Sequence, residues 1–402
     1  MKPSVVAHPE LADQGEQKIE WVRRHMPVLG QIEAEFSAAQ PLAGKRIVVC
    51  VHLEAKTANL ALVLQAGGAQ VSVTGSNPDS TKDDVVAALA ARNVNVYARH
   101  GASPEEMLEN MNSALDIAPH GVVDDGGDIL ELLHQRRPEL LSQLVGVCEE
   151  TTTGVDRARQ RHAEGELGTA VMLINDARCK FLFDNVHGTG QSVWDAVMRS
   201  TNLSVAGKTV CVMGFGWCGR GIALRAAGLG ARVLVCDTDP VKAADALMTG
   251  YTPGTAPDLL PQADIVITAT GVANTLSGSH LPLLKSGAIL ANAGHFWDEI
   301  DVDQLAGHAQ QRKVMRDQVE GFKLEQGWVY LLGGGHIVNI ACADGHPAEI
   351  MDTSFALQAL GVHQFLTGPT PEPGLYPVPD AVDQRVAELK LAAAGINLSE
   401  SA

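Results

Sequence analysis

Residues 209–221 read TVCVMGFGWCGRG, an apolar strand pattern that runs into a glycine-rich turn. The glycines at 214, 216 and 219 match G-x-G-x-x-G, in which they permit a tight turn, close approach of a pyrophosphate and close helix–strand packing. A second strand ends at Asp237, where a carboxylate would accept ribose hydroxyls and repel a 2′-phosphate. The glycines alone could mark a tight turn without a cofactor. Together with the flanking strands and Asp237, they predict a βαβ unit over about 208–239 that binds NAD.

The regions on both sides of this unit also alternate apolar strands with helices. Strand patterns before it are KRIVVCVHL, AQVSVTGSN, NVNVYARH, HGVVDD and LVGVCEE, and those after it are ADIVITATG and GAILANAGH. Parallel strands need crossover connections, usually helices, so this alternation predicts mostly parallel sheets. We predict an α/β fold with two Rossmann-like doubly wound domains, the NAD domain being inserted into the substrate domain.

The predicted domain bounds follow the strand and helix patterns. Residues 1–187 and 347–368 are predicted to form a discontinuous substrate-binding and catalytic domain, with helical segments over about 9–37 and 348–365. Residues 188–346 are predicted to form the NAD-binding domain. A proline-rich stretch then precedes a last helix around 382–393, so 369–402 is predicted to be a C-terminal tail.

Composition narrows the class of protein. The chain has 402 residues, of which 46% are hydrophobic, and a formal net charge of −17. Nucleic acids and anionic membranes require a cationic surface, so this charge argues against both as partners. The seven cysteines have no paired CxxC spacing, which predicts free thiols in a reducing compartment. The sequence has neither a secretory signal nor an apolar run of membrane length, so we expect a cytoplasmic enzyme, with no metal ligands assigned.

Ionisable residues end several predicted strands, and others follow within KFLFDN at 180–185. These residues are His52, Asp124, Asp125, Glu149, Glu150, Lys180, Asp184 and His295. The carboxyl ends of parallel strands are where open α/β sheets place their chemistry. A lone strand-end histidine or a DDGG turn is commonly structural, because Asp and Gly suit turns. Recurrence at successive strand ends favours a catalytic cleft.

Six motifs occur in an order that is typical of one enzyme family. They are DDGGD at 124–128, EETTTGV at 149–155, KFLFDN at 180–185, GFGWCGRG at 214–221, GHFWDEID at 294–301 and VNIACADGHP at 338–347. Over about residues 45–365 the chain resembles the adenosylhomocysteinase (S-adenosyl-L-homocysteine hydrolase) family. HLEAKTA at 52–58 is most similar to the short forms of that family.

The resemblance implies NAD-dependent, reversible hydrolysis of S-adenosyl-L-homocysteine, or a base variant, to nucleoside and homocysteine. Tightly bound NAD would oxidise the ribose 3′-hydroxyl and return the hydride within each turnover. The 3′-ketone acidifies the 4′-hydrogen; a protein base removes it, the 5′ thioether leaves by elimination, and water adds. The resemblance also implies self-association, as a homotetramer or dimer.

Roles for individual residues are likewise implied by the resemblance. Lys180 and Asp184 would act at the ribose hydroxyls, His52 and Asp125 as acid and base, and His295 at the leaving group or water. Substrate contacts are implied for Glu54, Lys56, Thr57, Glu150, His346, Met351 and Phe355. Cofactor contacts are implied for Thr151, Thr152, Thr153, Asn185, Gly214, Gly216, Trp217, Cys218, Gly219, Asp237, Thr270, Gly271 and Asn339. Met351 and Phe355 can equally be read as core residues of a helix.

Departures from the family pattern cluster at positions tied to the substrate. NPDSTKD at 77–83 has Asp79 and Lys82 where the family has an apolar residue and a glutamine, and Trp297 replaces an acid. GGGH at 333–336 replaces an acidic turn. The family's C-terminal Lys-Pro-x-His-Tyr-Arg-Tyr motif is absent, which allows for a more exchangeable cofactor. The nucleobase and the leaving group therefore remain open.

Two other functions fit the same residues. The oxidation and elimination steps could expel water from another purine nucleoside and leave a 4′,5′-alkene, as a dehydratase of a nucleoside-antibiotic pathway would. Alternatively, the chain could be a non-catalytic, NAD-binding regulator. The presence of the acid, base and lysine residues argues against the regulator.

Overall fold

The structure is a computed structural model that describes residues 3–294 and 298–398. It contains two compact units: unit 1 comprises Met1–Phe181 and Ala348–Ala402, and unit 2 comprises Leu182–Pro347. Unit 2 is thus inserted between the two parts of unit 1. Each unit holds a mostly parallel sheet, so the predicted α/β class with one inserted domain is confirmed.

The elements have the following bounds. The strands are β1 Arg46–Val51, β2 Gln70–Gly75, β3 Asn95–Tyr97, β4 Gly121–Asp124, β5 Gly146–Glu149, β6 Ala170–Leu173, β7 Thr209–Met213, β8 Arg232–Cys236, β9 Thr252–Pro253, β10 Ile265–Thr268, β11 Ile289–Asn292, β12 Gln311–Arg316, β13 Val319–Leu324, β14 Gly327–Leu332 and β15 Gly374–Pro377. The helices are α1 Ala12–Arg24, α2 Pro27–Ala39, α3 Ala55–Ala66, α4 Asp83–Ala91, α5 Pro104–Leu115, α6 Asp128–Gln135, α7 Thr152–Ala163, α8 Arg178–Lys180, α9 Thr189–Thr201, α10 Trp217–Gly228, α11 Pro240–Met248, α12 Ala256–Leu259, α13 Val302–His308, α14 Val338–Ala341, α15 Ala348–Thr367 and α16 Asp380–Ala393. A π-helix spans Phe181–Gly188. None of the described helices is both long and apolar enough to cross a membrane.

The sheet of unit 1 has the order β15-β6-β5-β4-β1-β2-β3, with every neighbouring pair parallel. Its central strands are buried along their length, as expected where helices cover both faces. The carboxyl ends of β1, β4 and β5 therefore meet at one edge. His52, Asp125 and Glu150 each follow one of these strands directly.

The edge strand β15 was not predicted from the sequence. Gly374 pairs with Ala170 of β6, so part of the segment predicted to be a C-terminal tail joins the sheet of unit 1. Prolines around this short strand hid it, because proline argues against a strand except at a sheet edge.

The sheet of unit 2 has the order β12-β13-β14-β11-β10-β7-β8-β9. In this spatial order every neighbouring pair from β9 through β8, β7, β10 and β11 to β14 is parallel. β13 and β12 then extend the sheet beyond β14 as antiparallel strands. The first strand, β7, lies between β8 and β10, which is the reversal point where open α/β sheets bind their ligands. The glycine turn follows β7.

The helical segment predicted over about 9–37 consists of two helices. α1 ends at Arg24 and α2 begins at Pro27. A proline in the first turn of a helix needs no hydrogen bond from its missing N–H, so Pro27 is tolerated there. Buried Asp352 on α15 accepts hydrogen bonds from Val28 N and Leu29 N, both at 2.9 Å. This carboxylate caps α2 and fastens it to α15.

Candidate functional site

His52 and Asp125 lie together at the carboxyl edge of the unit 1 sheet. His52 Nε2 is 3.7 Å from Asp125 Oδ2, and His52 Nδ1 is 2.7 Å from Ser80 Oγ. Ser76 Oγ donates to Asp125 Oδ2 at 3.1 Å, whereas Asp125 Oδ1 is buried without a hydrogen-bond partner in the described structure. The histidine side chain is 27% exposed and the aspartate 3%. An imidazole that solvent can reach and a buried carboxylate with an unused oxygen can exchange a proton with a bound molecule.

The first turn of α3 places three predicted substrate residues beside His52. Glu54 caps the helix by accepting from Lys56 N, and its Oε2 lies 3.1 Å from Lys56 Nζ. Thr57 Oγ1 donates to the His52 carbonyl at 2.6 Å. The turn thus presents a carboxylate acceptor and an ammonium donor as one pair, and the threonine fixes the backbone of His52.

A second cluster surrounds Glu150 in unit 1. Gln358 Nε2 of α15 donates to Glu150 Oε2 at 2.6 Å, and Lys180 Nζ is 3.9 Å from Glu150 Oε1. Lys180 Nζ also donates to Asn175 Oδ1 at 3.5 Å. Lys180 is only 5% exposed. A buried lysine beside a carboxylate can hold an alcohol oxygen and, as the neutral amine, take up its proton.

The remaining predicted residues of unit 1 lie on two helices. Thr151 is the N-cap of α7, with its Oγ1 accepting from Gly154 N, and Thr152 Oγ1 donates to Asn175 Oδ1 at 3.3 Å. Thr153 is half-buried in the first turn of α7. Met351 and Phe355 are both buried on α15, with 9% and 1% exposure. Their burial alone suits either the core or a pocket wall.

The glycine turn of unit 2 has the predicted strand–turn–helix context. Gly214 has φ 98°, a conformation that other residues adopt rarely, and a Cβ at Gly219 would lie 1.9 Å from the Gly214 carbonyl oxygen. Gly216 is the N-cap of α10, whose first residues are Trp217 and Cys218. The unpaired amides at this helix start provide an anion-binding end.

Asp237 closes the turn from the neighbouring strand. Its Oδ2 accepts from Phe215 N at 2.7 Å and its Oδ1 from Asp239 N at 2.8 Å, so the carboxylate is held at the edge of the turn. Arg220 pairs with Asp245 at 3.0 Å and its guanidinium stacks near the Trp217 ring. This arginine is therefore engaged with Asp245 beside the turn.

The residues predicted at the ribose and purine are joined to each other in unit 2. Asp184 Oδ1 forms a hydrogen bond with His346 Nδ1, and His346 Nε2 is 3.3 Å from Thr189 Oγ1. Asp184 and Asn185 lie on the π-helix, which is a rare form common at functional sites, and both are buried. Asp184 is thus oriented by a histidine that the sequence assigned elsewhere.

Glu299, at the turn after β10, and Asn339, beside α9, are two further polar groups of unit 2. Glu299 accepts from Thr270 N at 3.1 Å and from Gly271 N at 2.6 Å, which fixes the two predicted cofactor residues. Burial raises the pKa of Glu299. Asn339 Nδ2 donates to Ser192 Oγ at 3.0 Å, and its Oδ1 is buried without a hydrogen-bond partner in the described part of the chain.

These features fit a dinucleotide. The helix-start amides of α10, the Asp237 carboxylate and the unused Asn339 amide oxygen supply, respectively, groups for a pyrophosphate, a ribose and an amide. His295, predicted to act at the leaving group or water, and Trp297, which replaces an acid of the family pattern, lie outside the described residues. Within those residues, no cluster of three or more His, Cys, Asp or Glu side chains could hold a metal ion.

Several contacting residues were missed from the sequence. They are Ser76, Ser80, Asn175, Glu299 and Gln358. A signal existed for Gln358, the one polar residue within the otherwise apolar run 355–362, and for Ser76, which follows a strand end. Asn175 carried no local signal, because its role arises from the packing of distant segments.

Comparisons with known proteins cover nearly the whole chain. Residues 4–139 match the family S-adenosyl-L-homocysteine hydrolase, and residues 185–345 match its NAD binding domain. The S-inosyl-L-homocysteine hydrolase of Methanothermobacter thermautotrophicus is 48% identical over 99% of this chain and 96% of its own length. The adenosylhomocysteinase of Thermotoga maritima is 50% identical over 96% of each chain, and that of Pyrococcus abyssi is 50% identical over 97% of this chain and 93% of its own.

Proposed function

Because the chain belongs to the S-adenosyl-L-homocysteine hydrolase family, we propose that it hydrolyses an S-nucleosyl-L-homocysteine thioether to nucleoside and homocysteine. It carries the family's NAD-binding domain at residues 185–345. The observation that carries the proposal is the edge of the unit 1 sheet, where His52 lies beside buried Asp125 and Lys180 beside Glu150. These pairs supply a base for a carbon-bound proton and a holder for a sugar hydroxyl.

The proposed steps use these pairs in turn. NAD, when bound, supplies reversible hydride transfer at the ribose 3′ carbon. Lys180 holds the 3′ oxygen and takes its proton, while Glu150, fixed by Gln358, binds the ribose. Asp125 and His52 then remove the 4′ proton, because the Asp125 Oδ1 is unused and His52 is open to solvent. The C5′–S bond breaks and homocysteine leaves with a proton, water adds its hydroxyl to the 5′ carbon of the alkene, and the same residues return a proton to the 4′ carbon. Asp184, oriented by His346, is proposed to bind a ribose hydroxyl.

The direct test measures thiol release. Purified, NAD-loaded protein is incubated with S-adenosyl- and S-inosyl-L-homocysteine, and homocysteine and nucleoside are quantified by mass spectrometry. We expect both products in equal amounts, accompanied by a transient absorbance of bound NADH. Failure to release homocysteine from either thioether would refute the proposed hydrolysis.

We propose that the base is recognised by the Glu54–Lys56 pair and that both purines are accepted. Adenine presents an amino group that needs an acceptor, and hypoxanthine presents an oxygen that needs a donor. The pair offers both, with Glu54 Oε2 and Lys56 Nζ 3.1 Å apart. We expect Lys56→Met to reduce kcat/KM about tenfold more for the inosyl than for the adenosyl thioether, which is the effect of one lost hydrogen bond to a polar group. Equal losses, measured by competition between the two substrates, would show that Lys56 does not read the base.

Dehydration of another purine nucleoside is the second candidate. The segment around Ser80 favours this candidate. The Ser80 hydroxyl is hydrogen-bonded to His52, and the same segment has Asp79 and Lys82 where the family has other residues, so the surroundings of His52 differ from the family pattern. Suppressed water addition would leave the 4′,5′-alkene as product. Incubation with a panel of nucleosides distinguishes the candidates: a product lighter by one water supports the dehydratase, whereas unchanged nucleosides count against it.

Location and assembly complete the proposal. The seven cysteines all lie within the described residues and are free thiols, which supports a reducing, cytoplasmic location. From the family resemblance we propose a homotetramer or homodimer. Sedimentation equilibrium should give a multiple of the 42.5 kDa chain mass, and a monomer would contradict this.

A further inference from the structure

Two acidic doublets end neighbouring strands of unit 1, and their first members have no role in the proposed reaction. β4 ends at Asp124 and β5 at Glu149, and these residues are register partners across the two strands. The second members, Asp125 and Glu150, face His52 and Lys180. The first members instead bind backbone amides, and both are completely buried.

Asp124 binds the start of α6 and the residue beside it. Its Oδ1 accepts from Asp125 N at 3.1 Å and Ile129 N at 3.3 Å, and its Oδ2 accepts from Leu130 N at 2.9 Å. The helix start favours a carboxylate, because its amides lack other partners. Of the two residues Asp124 and Glu149, Asp124 is therefore the one whose surroundings stabilise a negative charge.

Glu149 binds the residues that follow Asp125, the proposed acid or base, and Glu150, the proposed ribose ligand. Its Oε1 accepts from Gly126 N at 2.9 Å, Thr151 N at 3.0 Å and Thr151 Oγ1 at 3.1 Å. Gly126 follows Asp125, and Thr151 follows Glu150. One oxygen thus joins the turn after β4 to the turn after β5.

The carboxyl of Glu149 fits closely in its position. A Cβ at Gly154, on α7, would lie 2.1 Å from Glu149 Cδ, so the glycine leaves room for this group and for little more. The other oxygen, Oε2, is buried and has no hydrogen-bond partner among the described residues. In the described structure Glu149 therefore accepts hydrogen bonds through Oε1 and makes none through Oε2.

Acids and thiols surround Glu149 in the described structure. They are Asp124 and Asp125 on and after β4, Cys50 on β1, and Cys148 and Glu150 next to it in the chain, while Asp128 on α6 adds its charge beside Asp124. Arg157, on α7, donates to the Gly126 carbonyl and to Asp128, both at 2.8 Å, and makes no hydrogen bond to either buried acid. Burial and the charge of Asp124 raise the pKa of Glu149 well above its usual range, and burial raises the pKa of Asp124 to about 7. Two buried carboxylates without a cation cannot both remain ionised at low cost.

We propose that Glu149 is a positioning residue that acts as a neutral carboxylic acid, holding the Asp125–Gly126 and Glu150–Thr151 peptides in one fixed arrangement. A neutral acid keeps the carbonyl oxygen that accepts three hydrogen bonds and removes a second buried charge from beside Asp124. It thereby sets the acid beside His52 and the acid beside Lys180 relative to each other. The inference rests on the hydrolysis proposed above, because these two acids act in that reaction.

Two substitutions distinguish the role of Glu149 as an uncharged hydrogen-bond acceptor from any role of a negative charge at this position. Glu149→Gln keeps an uncharged acceptor of the same length, whereas Glu149→Met keeps the length and removes the acceptor. Rates are expressed per NAD-loaded site, so that loss of folded protein does not count as loss of catalysis. We expect Glu149→Gln to stay within threefold of the native kcat and KM, with an unchanged pH profile of kcat/KM. For Glu149→Met we expect kcat to fall at least 30-fold, with a smaller change in KM.

The control is Asp352→Asn, which removes another buried, amide-binding acid of unit 1. It changes the carboxylate that anchors α2 to α15 and should leave kcat per loaded site unchanged. A glutamine variant as impaired as the methionine variant would show that the charge of Glu149 matters and would overturn the proposal. So would a methionine variant with native kcat, because no positioning would then be needed.

The protonation state can be observed without turnover. The infrared difference between the native protein and Glu149→Gln in D2O should contain the carbonyl stretch of a protonated carboxyl group at neutral pH. An ionised carboxylate band in its place would overturn the proposal, even if Glu149→Met does not fold. If the native protein releases no homocysteine, the proposed hydrolysis fails, while this spectrum still decides the state of Glu149.

Discussion

Lys180 is a lysine whose side chain is buried. Its amino group has Glu150 Oε1 3.9 Å away and Asn175 Oδ1 at 3.5 Å. We expect Lys180→Ala to lower substrate-dependent NAD reduction by about 10²- to 10⁴-fold, the usual contribution of a positioned acid or base. Stopped-flow absorbance of bound NADH measures this step directly. Lys45→Met is the matched control, since Lys45 precedes β1 at the opposite end from His52.

The outcome for Lys180 distinguishes chemistry from folding. The alanine variant should keep its circular dichroism spectrum and its NAD content, because Lys180 belongs to unit 1 and the glycine turn to unit 2. Normal reduction of NAD by the alanine variant would refute the role proposed for this lysine.

Asp237 should govern affinity for NAD. Its carboxylate already holds Phe215 N at 2.7 Å and Asp239 N at 2.8 Å, so it is placed before a ribose arrives. We expect Asp237→Ala to weaken NAD binding about 10- to 100-fold, which corresponds to the loss of a charged hydrogen bond. Isothermal titration of apo-protein with NAD gives the value. Asp239→Ala, which removes only the cap of α11 at Val241 N, should leave the affinity close to native.

If the Asp237 variant bound NAD with native affinity, the assignment of its ribose contact would be wrong. A larger loss for Asp239→Ala than for Asp237→Ala would point to helix capping as the cause. Both variants alter one carboxylate at the same edge, so their comparison removes general charge effects.

The sequence predicted individual site residues where an ionisable side chain directly follows a strand. His52, Asp125 and Glu150 were predicted at one edge, and the structure places them after β1, β4 and β5 of one sheet. The partners that hold them were not predicted. Gln358 reaches Glu150 across 208 positions of sequence, a contact that depends on the packing of α15 and not on any local pattern.

At the scale of elements, Asp352 ties the stability of α2 to pH. Burial raises the pKa of Asp352 from 3.8 to about 6, and the amides of Leu29 and Val28 offset this only in part. The folded state therefore keeps the proton to higher pH than the unfolded chain. Its contribution to stability is fully present below about pH 4 and is lost as the pH rises through about 6.

We therefore expect the unfolding free energy of the native protein to fall, relative to Asp352→Asn, by up to roughly 3 kcal/mol between pH 4 and 6. Urea unfolding followed by circular dichroism across this range measures the difference. Asp383→Asn is the control, because Asp383 also accepts two backbone hydrogen bonds, from Arg178 N and Cys179 N, but is only half-buried. Parallel pH curves for native protein and Asp352→Asn would contradict the prediction.

The elements themselves were largely predictable, and the exceptions have physical reasons. The apolar runs before His52 and Asp124 predicted β1 and β4, since strands buried on both faces are continuously apolar. The break at Pro27 was missed because apolar positions continue at helical spacing through both α1 and α2. The edge strand β15 was missed because its pairing with β6 brings together segments about 200 positions apart.

At the scale of the whole molecule, the predicted cofactor residues are divided between the two units. The glycine turn and Asp237 belong to unit 2, whereas Thr151, Thr152 and Thr153 belong to unit 1. The doubly wound, mostly parallel class of each sheet was predictable from alternation, but the contacts of unit 1 residues with NAD were implied only by the family resemblance. A ligand that binds the folded state slows hydrogen exchange in the segments that it stabilises, so exchange can test this assignment.

We expect NAD alone, added to apo-protein, to slow exchange in peptides that cover Gly214–Gly219 and Asp237, and also in the peptide that covers Thr151–Thr153. The peptide that covers β2 and β3 is the internal control, because none of its residues is assigned to the cofactor. Hydrogen-exchange mass spectrometry resolves these segments. Protection confined to residues 182–347 would refute the threonine contacts while leaving the dinucleotide site of unit 2 intact. Protection spread over the β2–β3 peptide would instead show that NAD stabilises unit 1 as a body, and the threonines would then need individual substitution to establish a direct contact.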